Sequence, residues 1–340
     1  DGIGHTEKPY LSYGLRETQF ILHQKDFGIG LSNTNMWWGP GLHNSLHMSN
    51  NTSGFNYFFL GTTSEKKISS FGYNLKYVFS KLDKNIAEPY YTGLAGDITY
   101  YGNQITTIGF FRSFLSGGSL TSDDISLKEA MLLPFEGFFK KNLYEDNNQQ
   151  DPSDEVDQTF SFFISTLLPG PKLKLYFEFG WDDHRWDIYD FFQHPDHSST
   201  KLIGFRKYGL FNKEELIMGF EYTDLVTGRY PNRQEGNGTA NWYGRDVFDC
   251  YLYDGRRFTA HSGTDSDDLL VYIGYLSDKS DIILSFNHER HGVYNSVQLS
   301  QEDGYFYVPE YKLEFKIDIR KKYKSYDIYF MYEFEFLDNL

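Results

Sequence analysis

The chain has 340 residues, a formal net charge of -15 from 32 basic and 47 acidic side chains, and a single cysteine, Cys250. One cysteine excludes a disulfide framework and a cysteine-based zinc site, and a 19% share of aromatic residues excludes an intrinsically disordered chain. The acidic balance argues against a nucleic-acid partner, and the absence of any run of about 18 apolar residues excludes a transmembrane helix.

Apolar and polar residues alternate with a period of two along most of the chain, a pattern that predicts β-strands. In chain order the predicted strands are 55–64, 71–79, 90–100, 105–114, 159–167, 173–181, 200–208, 215–224, 268–276, 281–288, 311–320 and 326–336. The pattern is clearest near the C-terminus, where odd positions from Tyr311 to Ile319 are apolar and even positions from Lys312 to Arg320 are charged. Ser126–Met131 is predicted as a short helix or a loop.

Two architectures account for such strands. A soluble β-protein turns the apolar face inward, whereas a transmembrane β-barrel turns it toward lipid and lines its lumen with charged residues. Soluble strands average about five or six residues, and membrane-spanning strands need about 9–11. The best-marked strands have the greater length, so we predict an all-β fold: a transmembrane outer-membrane β-barrel of roughly 15–18 antiparallel strands. It is expected to form a single domain over residues 1–340, surrounded by outer-membrane lipid.

Long polar stretches between the strands predict extracellular loops. The stretch Thr227–Arg245 combines aromatic and basic side chains. The candidate polysaccharide-binding residues there are Arg229, Arg233, Trp242, Tyr243 and Arg245. Aromatic faces stack on sugar rings, and guanidinium groups donate forked hydrogen bonds to their oxygens. The alternative is that these aromatic side chains only pack the loops.

A second candidate is the run Trp37-Trp38-Gly39-Pro40-Gly41. Its indole rings would form a platform for carbohydrate, with Asn50 and Asn51 supplying hydrogen bonds. The alternative is a tight turn whose Trp37 and Trp38 side chains plug the barrel or lie at the membrane interface.

Two acidic segments raise the questions of catalysis and metal binding. The carboxylates Glu178, Asp182 and Asp183 would serve glycoside hydrolysis as an acid and base pair, bind Ca²⁺, or form a solvated loop. We predict the solvated loop, and with it no catalytic residue, no cofactor and no metal. If a metal does bind, Asp182 and Asp183 are the candidate ligands. The segment from His261 to Asp268 does not begin an EF-hand. Counted from Asp265, the sixth and twelfth positions hold Leu270 and Leu276 in place of the required Gly and Glu, and we predict a hairpin turn.

Four stretches occur together in a characteristic order. They are Asn35–Gly41 with Ser49–Asn51, Gly109–Arg112 with Gly117–Gly118, Leu175–Gly180 with Asp182–Asp183, and Trp242–Tyr243 with Tyr253–Gly255 and His261–Asp268. In order and spacing the chain resembles the Wzi family of capsule assembly proteins, from about Leu15 to Leu276.

The resemblance implies a non-enzymatic outer-membrane β-barrel of a Gram-negative bacterium that binds and retains capsular or other surface polysaccharide. The resemblance also implies about eighteen strands and an N-terminal helical region. No helical segment is predicted ahead of Trp37, so we expect either that the chain is incomplete at its N-terminus or that the early strands and the plug are absent. Because the first residue is Asp1 rather than Met, we expect a mature or partial chain. Two alternatives stay open: an outer-membrane channel or barrel subunit of a larger envelope complex, and a soluble β-rich carbohydrate-active enzyme.

Overall fold

The computed structural model describes residues 16–121, 125–139, 156–182, 199–226, 242–243, 251–293 and 308–338, with the backbone alone for 136–139. These ranges contain seventeen β-strands and one α-helix. The strands are β1 Gln19–Gln24, β2 Phe27–Ser32, β3 Tyr57–Thr62, β4 Lys66–Ile68, β5 Phe71–Lys81, β6 Tyr90–Tyr101, β7 Ile105–Ser116, β8 Val156–Leu168, β9 Leu173–Asp182, β10 Ser199–Leu210, β11 Lys213–Asp224, β12 Leu252–Tyr253, β13 Arg256–Arg257, β14 Ser266–Leu276, β15 Ser280–His291, β16 Glu310–Tyr323 and β17 Tyr326–Asp338. The helix, α1, spans Leu127–Phe139.

Fifteen of the strands form one antiparallel sheet. Its order is β1-β2-β3-β5-β6-β7-β8-β9-β10-β11-β14-β15-β16-β17, with β4 paired to β5, while β12 and β13 form a small separate hairpin. Among the described residues, no ladder joins β17 to β1. Strand β9, with 10 residues, is already long enough to cross a membrane, and β16 reaches 14. The single-domain prediction for residues 1–340 extends past the described ranges and stays a prediction.

The connections between strands differ in length at the two ends of the sheet. One end, the short-turn end, has the connections 25–26, 102–104, 169–172, 211–212, 277–279 and 324–325. The other, the long-loop end, has the connections 33–56, 82–89, 117–155, 183–198, 225–265 and 292–309. In outer-membrane barrels the short turns face the periplasm and the long loops face the outside.

Strand register separates an apolar outer face from a polar inner one. On the outer face, side chains of consecutive strands form one row: Phe205, Phe220, Val271, Phe286, Phe315 and Phe334. One residue along, the inner row is Glu221, Leu270, Asn287, Glu314 and Glu335. Phe315 is 52% exposed, whereas Glu221 is 1% exposed. The apolar set therefore faces outward, as the alternation predicts for a membrane barrel.

The sheet curls around two connecting segments. The inner segment is residues 33–56, between β2 and β3, and the inner loop is residues 251–265, before β14. Inward side chains of several strands contact the inner segment, among them Ser113 of β7, Thr159 of β8 and Glu221 of β11. Phe55 of the inner segment packs edge-to-face on Phe258 of the inner loop, with ring centroids 5.7 Å apart. The apolar core thus lies inside the barrel.

Helix α1 follows β7 and begins with a capping box. The Ser126 hydroxyl accepts a hydrogen bond from the Glu129 amide at 3.3 Å, and the Ser126 amide donates to the Glu129 carboxylate at 2.9 Å. The hydroxyl of Tyr77 donates to the Met131 carbonyl and holds the helix on β5. The predicted choice of helix or loop at Ser126–Met131 is resolved as a helix that continues to Phe139. No helix in the described part of the chain is both long and apolar enough to cross a membrane.

Candidate functional site

The inner segment is held in place by one buried carboxylate, that of Glu221. Three successive backbone amides donate to it: Leu42 at 2.5 Å, His43 at 3.0 Å and Asn44 at 2.7 Å. The Tyr176 hydroxyl donates to the same carboxylate at 2.8 Å. Successive amides that point at one anion form a concave nest, so this arrangement fixes the turn of the inner segment against β11.

The paired tryptophans of the inner segment have different surroundings. Trp38 is 4% exposed and stacks on Phe111 with ring centroids 5.9 Å apart. Trp37 is half-buried, and its indole N–H donates to the Gly41 carbonyl at 3.1 Å. Both tryptophans line a cavity of about 570 Å³, together with polar side chains that include Asn35 and Lys76. Trp38 thus belongs to the core at the wall of this cavity, and Trp37 is the more exposed of the two.

Gly39 allows the chain to turn directly after Trp38. Its φ of +133° lies in the region that favours glycine, and an added Cβ would lie 2.9 Å from an oxygen of Glu178. Glu178 is fully buried on β9 and accepts a hydrogen bond from the Ser161 hydroxyl at 2.6 Å. The inner segment therefore covers this carboxylate.

Asn50 and Asn51 lie at the long-loop end. Asn50 is exposed, and the Asn51 side chain donates to the Arg257 carbonyl at 3.1 Å. Farther along the same junction, the Ser53 hydroxyl donates to the Asp254 carboxylate at 3.2 Å. We call the surface formed by Asn50, Asn51, Ser53, Asp254, Arg256 and Arg257 the rim strip. It carries amide, carboxylate and guanidinium groups.

Trp242 and Tyr243 are fully buried. Trp242 packs edge-to-face on His47, with ring centroids 6.3 Å apart, and the Tyr243 hydroxyl donates to the Leu46 carbonyl at 2.5 Å. Both side chains therefore help to hold the inner segment. Their role as polysaccharide ligands stays a prediction.

The other predicted site residues fall into two groups. Asp182 is 4% exposed at the end of β9. Four lie outside the described residues: Asp183, Arg229, Arg233 and Arg245. Their roles stay predictions.

A group that the sequence does not predict lies where the inner segment, the inner loop and the sheet meet. The histidine–carboxylate cluster consists of His43, His261, Asp268 and Glu289. Asp268 Oδ2 lies 3.3 Å from His43 Nε2 and 3.2 Å from His261 Nε2, and Glu289 Oε1 lies 3.5 Å from His261 Nε2. Burial opposes a charge on His261, but hydrogen bonds and charges from both carboxylates outweigh it and raise its pKa to about 10. The cluster thus favours a positive charge at its centre.

Neighbouring polar groups orient the two carboxylates. The Asn44 side chain donates to Asp268 at 2.7 Å, and the Asn287 side chain donates to Glu289 at 2.6 Å. His291 and Lys312 also contact Glu289, at 3.1 Å and 3.2 Å. Lys312 also contacts Glu314, so the network extends along β16. Such pairing of opposite charges is typical of a lumen lined by charged residues.

Comparison with known proteins identifies the family. The family model described as capsule assembly protein Wzi matches residues 13–338. Among solved structures, the outer-membrane protein Wzi of Escherichia coli, a carbohydrate-binding β-barrel involved in group 1 capsule assembly, matches with a TM-score of 0.69. The two sequences are 14% identical, and the match covers 96% of this chain and 67% of that one, which shows a shared fold. No curated protein matches the sequence significantly. The predicted antiparallel β-barrel is confirmed, and the chain belongs to the Wzi family of capsule assembly proteins.

Proposed function

We propose that this chain is an outer-membrane β-barrel of a Gram-negative bacterium that binds and retains capsular or other exported polysaccharide at the cell surface, without catalysing a reaction. The family match over residues 13–338 carries this proposal. The apolar row through Phe286, Phe315 and Phe334 suits contact with outer-membrane lipid. The long-loop end would then face the polysaccharide outside the cell.

The rim strip is our candidate contact surface at that end. Asn50 and Arg256 are exposed there, and Asn51 is half-buried. An amide offers both a donor and an acceptor to sugar hydroxyls, and a guanidinium offers forked donors to hydroxyl or carboxylate oxygens. Because the whole chain is acidic, an acidic polysaccharide would need such a local basic group. Trp37 in its cavity is the second candidate.

Two observations weigh against the alternatives. The inner segment and inner loop occupy the inside of the barrel, with Trp38 and Phe258 buried, so an open channel is disfavoured. Glu178, a carboxylate that would serve hydrolysis, is fully buried beneath Gly39 and out of reach of a long polysaccharide. We therefore expect Glu178→Gln to leave the polysaccharide length unchanged, as gel electrophoresis of extracted polysaccharide would measure.

The test is complementation of a strain that lacks this protein. The Asn50→Ala/Arg256→Ala double variant should lower cell-bound polysaccharide and raise the released fraction, measured by chemical assay of cells and medium. Lys279→Ala is the matched control, because it removes an exposed cation at the short-turn end. It should retain polysaccharide as the wild type does.

Distinct outcomes would contradict distinct parts of the proposal. If the strain without the protein retained polysaccharide as well as the wild type, the function itself would be wrong. If a folded double variant, shifted on gels by heating as a barrel is, showed wild-type retention, the rim strip would be the wrong surface. Open-channel conductance in planar bilayers would favour the channel alternative.

A further inference from the structure

We propose that the histidine–carboxylate cluster binds a divalent transition metal of the Zn²⁺ type. Its four donors come from separate elements: His43 from the inner segment, His261 from the inner loop, Asp268 from β14 and Glu289 from β15. Two imidazole nitrogens and two carboxylate oxygens are a ligand set that zinc accepts, whereas Ca²⁺ prefers oxygen ligands alone. The sequence alone predicts no metal here.

The spacing of the donor atoms supports tetrahedral coordination. All four lie within 4.8 Å of one another, and the three measured nitrogen–oxygen separations are 3.2, 3.3 and 3.5 Å. Zinc bonds of about 2.0–2.2 Å at tetrahedral angles place neighbouring ligand atoms about 3.3–3.6 Å apart. These three of the six donor separations are therefore close to those of ligands around one ion.

Unpartnered buried atoms point the same way. His43 Nε2 has no hydrogen-bond partner, although it lies 3.3 Å from the Asp268 carboxylate. The Asp268 side chain is fully buried, and its Oδ1 also lacks a hydrogen-bond partner. Native proteins pair nearly all such buried polar atoms. A bound cation would give His43 Nε2 the partner that it lacks.

The surroundings resemble those of a metal site in two more respects. The carboxylates are oriented by Asn44 and Asn287, as hydrogen-bonded neighbours orient metal ligands elsewhere. The side chains of His43 and His261 are 23% and 25% exposed, so the cluster lies near solvent-accessible surface. A metal bound here would tie the inner segment to the inner loop and to two strands of the sheet.

The proposal is tested with Zn²⁺ itself on the purified full chain in detergent, after treatment with a chelator. Isothermal titration and elemental analysis should show one zinc per chain. His43→Gln should weaken binding by at least roughly 10–100-fold. His23→Gln, an exposed histidine on β1, is the matched control and should bind as the wild type does. Bound Co²⁺ should give the intense visible bands of tetrahedral coordination.

Three results would overturn the proposal. The first is a folded wild-type chain without saturable zinc binding. The second is unchanged affinity in both His43→Gln and His261→Gln, with heat-shifted gel migration showing that each variant folds. The third is a weak, six-coordinate Co²⁺ spectrum, which would exclude the tetrahedral site. None of these measurements involves polysaccharide, so they are independent of the proposed function.

Discussion

Replacing Glu221 by Gln should release the inner segment from the barrel wall. In the wild type the carboxylate accepts four hydrogen bonds, three from backbone amides and one from Tyr176. The amide of Gln keeps one acceptor oxygen and turns an N–H₂ group toward other donors. Two lost charge-assisted bonds at about 1.5–3 kcal/mol each, less the smaller desolvation cost of a neutral side chain, give a loss of roughly 2–5 kcal/mol.

The assay is urea unfolding of the protein in phospholipid vesicles, followed by tryptophan fluorescence. Limited proteolysis with mass spectrometry would report separately on cleavage within the inner segment, which should rise in Glu221→Gln. The control is Glu214→Gln on the same strand, because that side chain is 76% exposed and pairs with Lys172 at the surface. An exposed pair contributes about 0–1 kcal/mol, so this control should unfold nearly as the wild type does.

A Glu221→Gln protein that unfolds within about 1 kcal/mol of the wild type and keeps its inner segment protected from protease would contradict this role of the carboxylate. The turn around Leu42 would then be held by the apolar packing of the inner segment, and the buried carboxylate would contribute little net free energy.

Three further changes test the membrane face, the turn and the buried imidazole. Phe315→Lys on the outer face should lower the free energy of unfolding by about 2–4 kcal/mol, whereas Phe315→Leu should cost far less in the same vesicle assay. Gly39→Ala should destabilise by roughly 1–3 kcal/mol through its left-handed φ, and Gly170→Ala, with open space around its Cβ position, should not. Burial lowers the pKa of His47 from 6.5 to about 3. The stability that the neutral imidazole contributes is therefore fully present above pH 6.5 and is lost as the pH falls toward 3, at about 1.4 kcal/mol per pH unit. The free energy of unfolding should be measured against pH for the wild type and for His47→Gln. The difference between the two should show that slope, and an equal pH dependence in both proteins would contradict it.

Strands are predictable from the sequence where their two faces carry different chemistry. The predicted segments 311–320 and 326–336 lie within the observed β16 and β17. Strands β1 and β2 are not predicted, because inward positions of β2 hold Gly28 and Gly30 and the polar–apolar contrast is lost. An added Cβ at either glycine would press on β1, within 2.8 Å of Ile21 atoms. Tertiary contact therefore removes the pattern on which the prediction depends.

The candidate site is predictable only in part. Alternation and the turn at 277–280 are enough to place Asp268 opposite Glu289, and the register does pair them. The position of His43 beside Asp268 depends on the fold of the inner segment, and that segment has no periodic pattern from which its fold could be predicted. The burial of Trp242 and Tyr243 is unpredictable for the same reason, because both side chains contact the inner segment.

The contacts of the inner segment also constrain the order of assembly. Ladders between neighbouring strands close connections of 41 residues or fewer, the longest being 225–265, whereas Leu42 and Glu221 are separated by 179 positions. Contacts so distant in sequence form late in folding, so we expect the hairpins up to β11 to pair before the inner segment docks. Until then Trp38 and Leu46 stay in contact with water, and the nascent barrel is most prone to aggregation in that interval. Pulsed labelling during refolding should show protection of the inner segment lagging behind protection of the early hairpins.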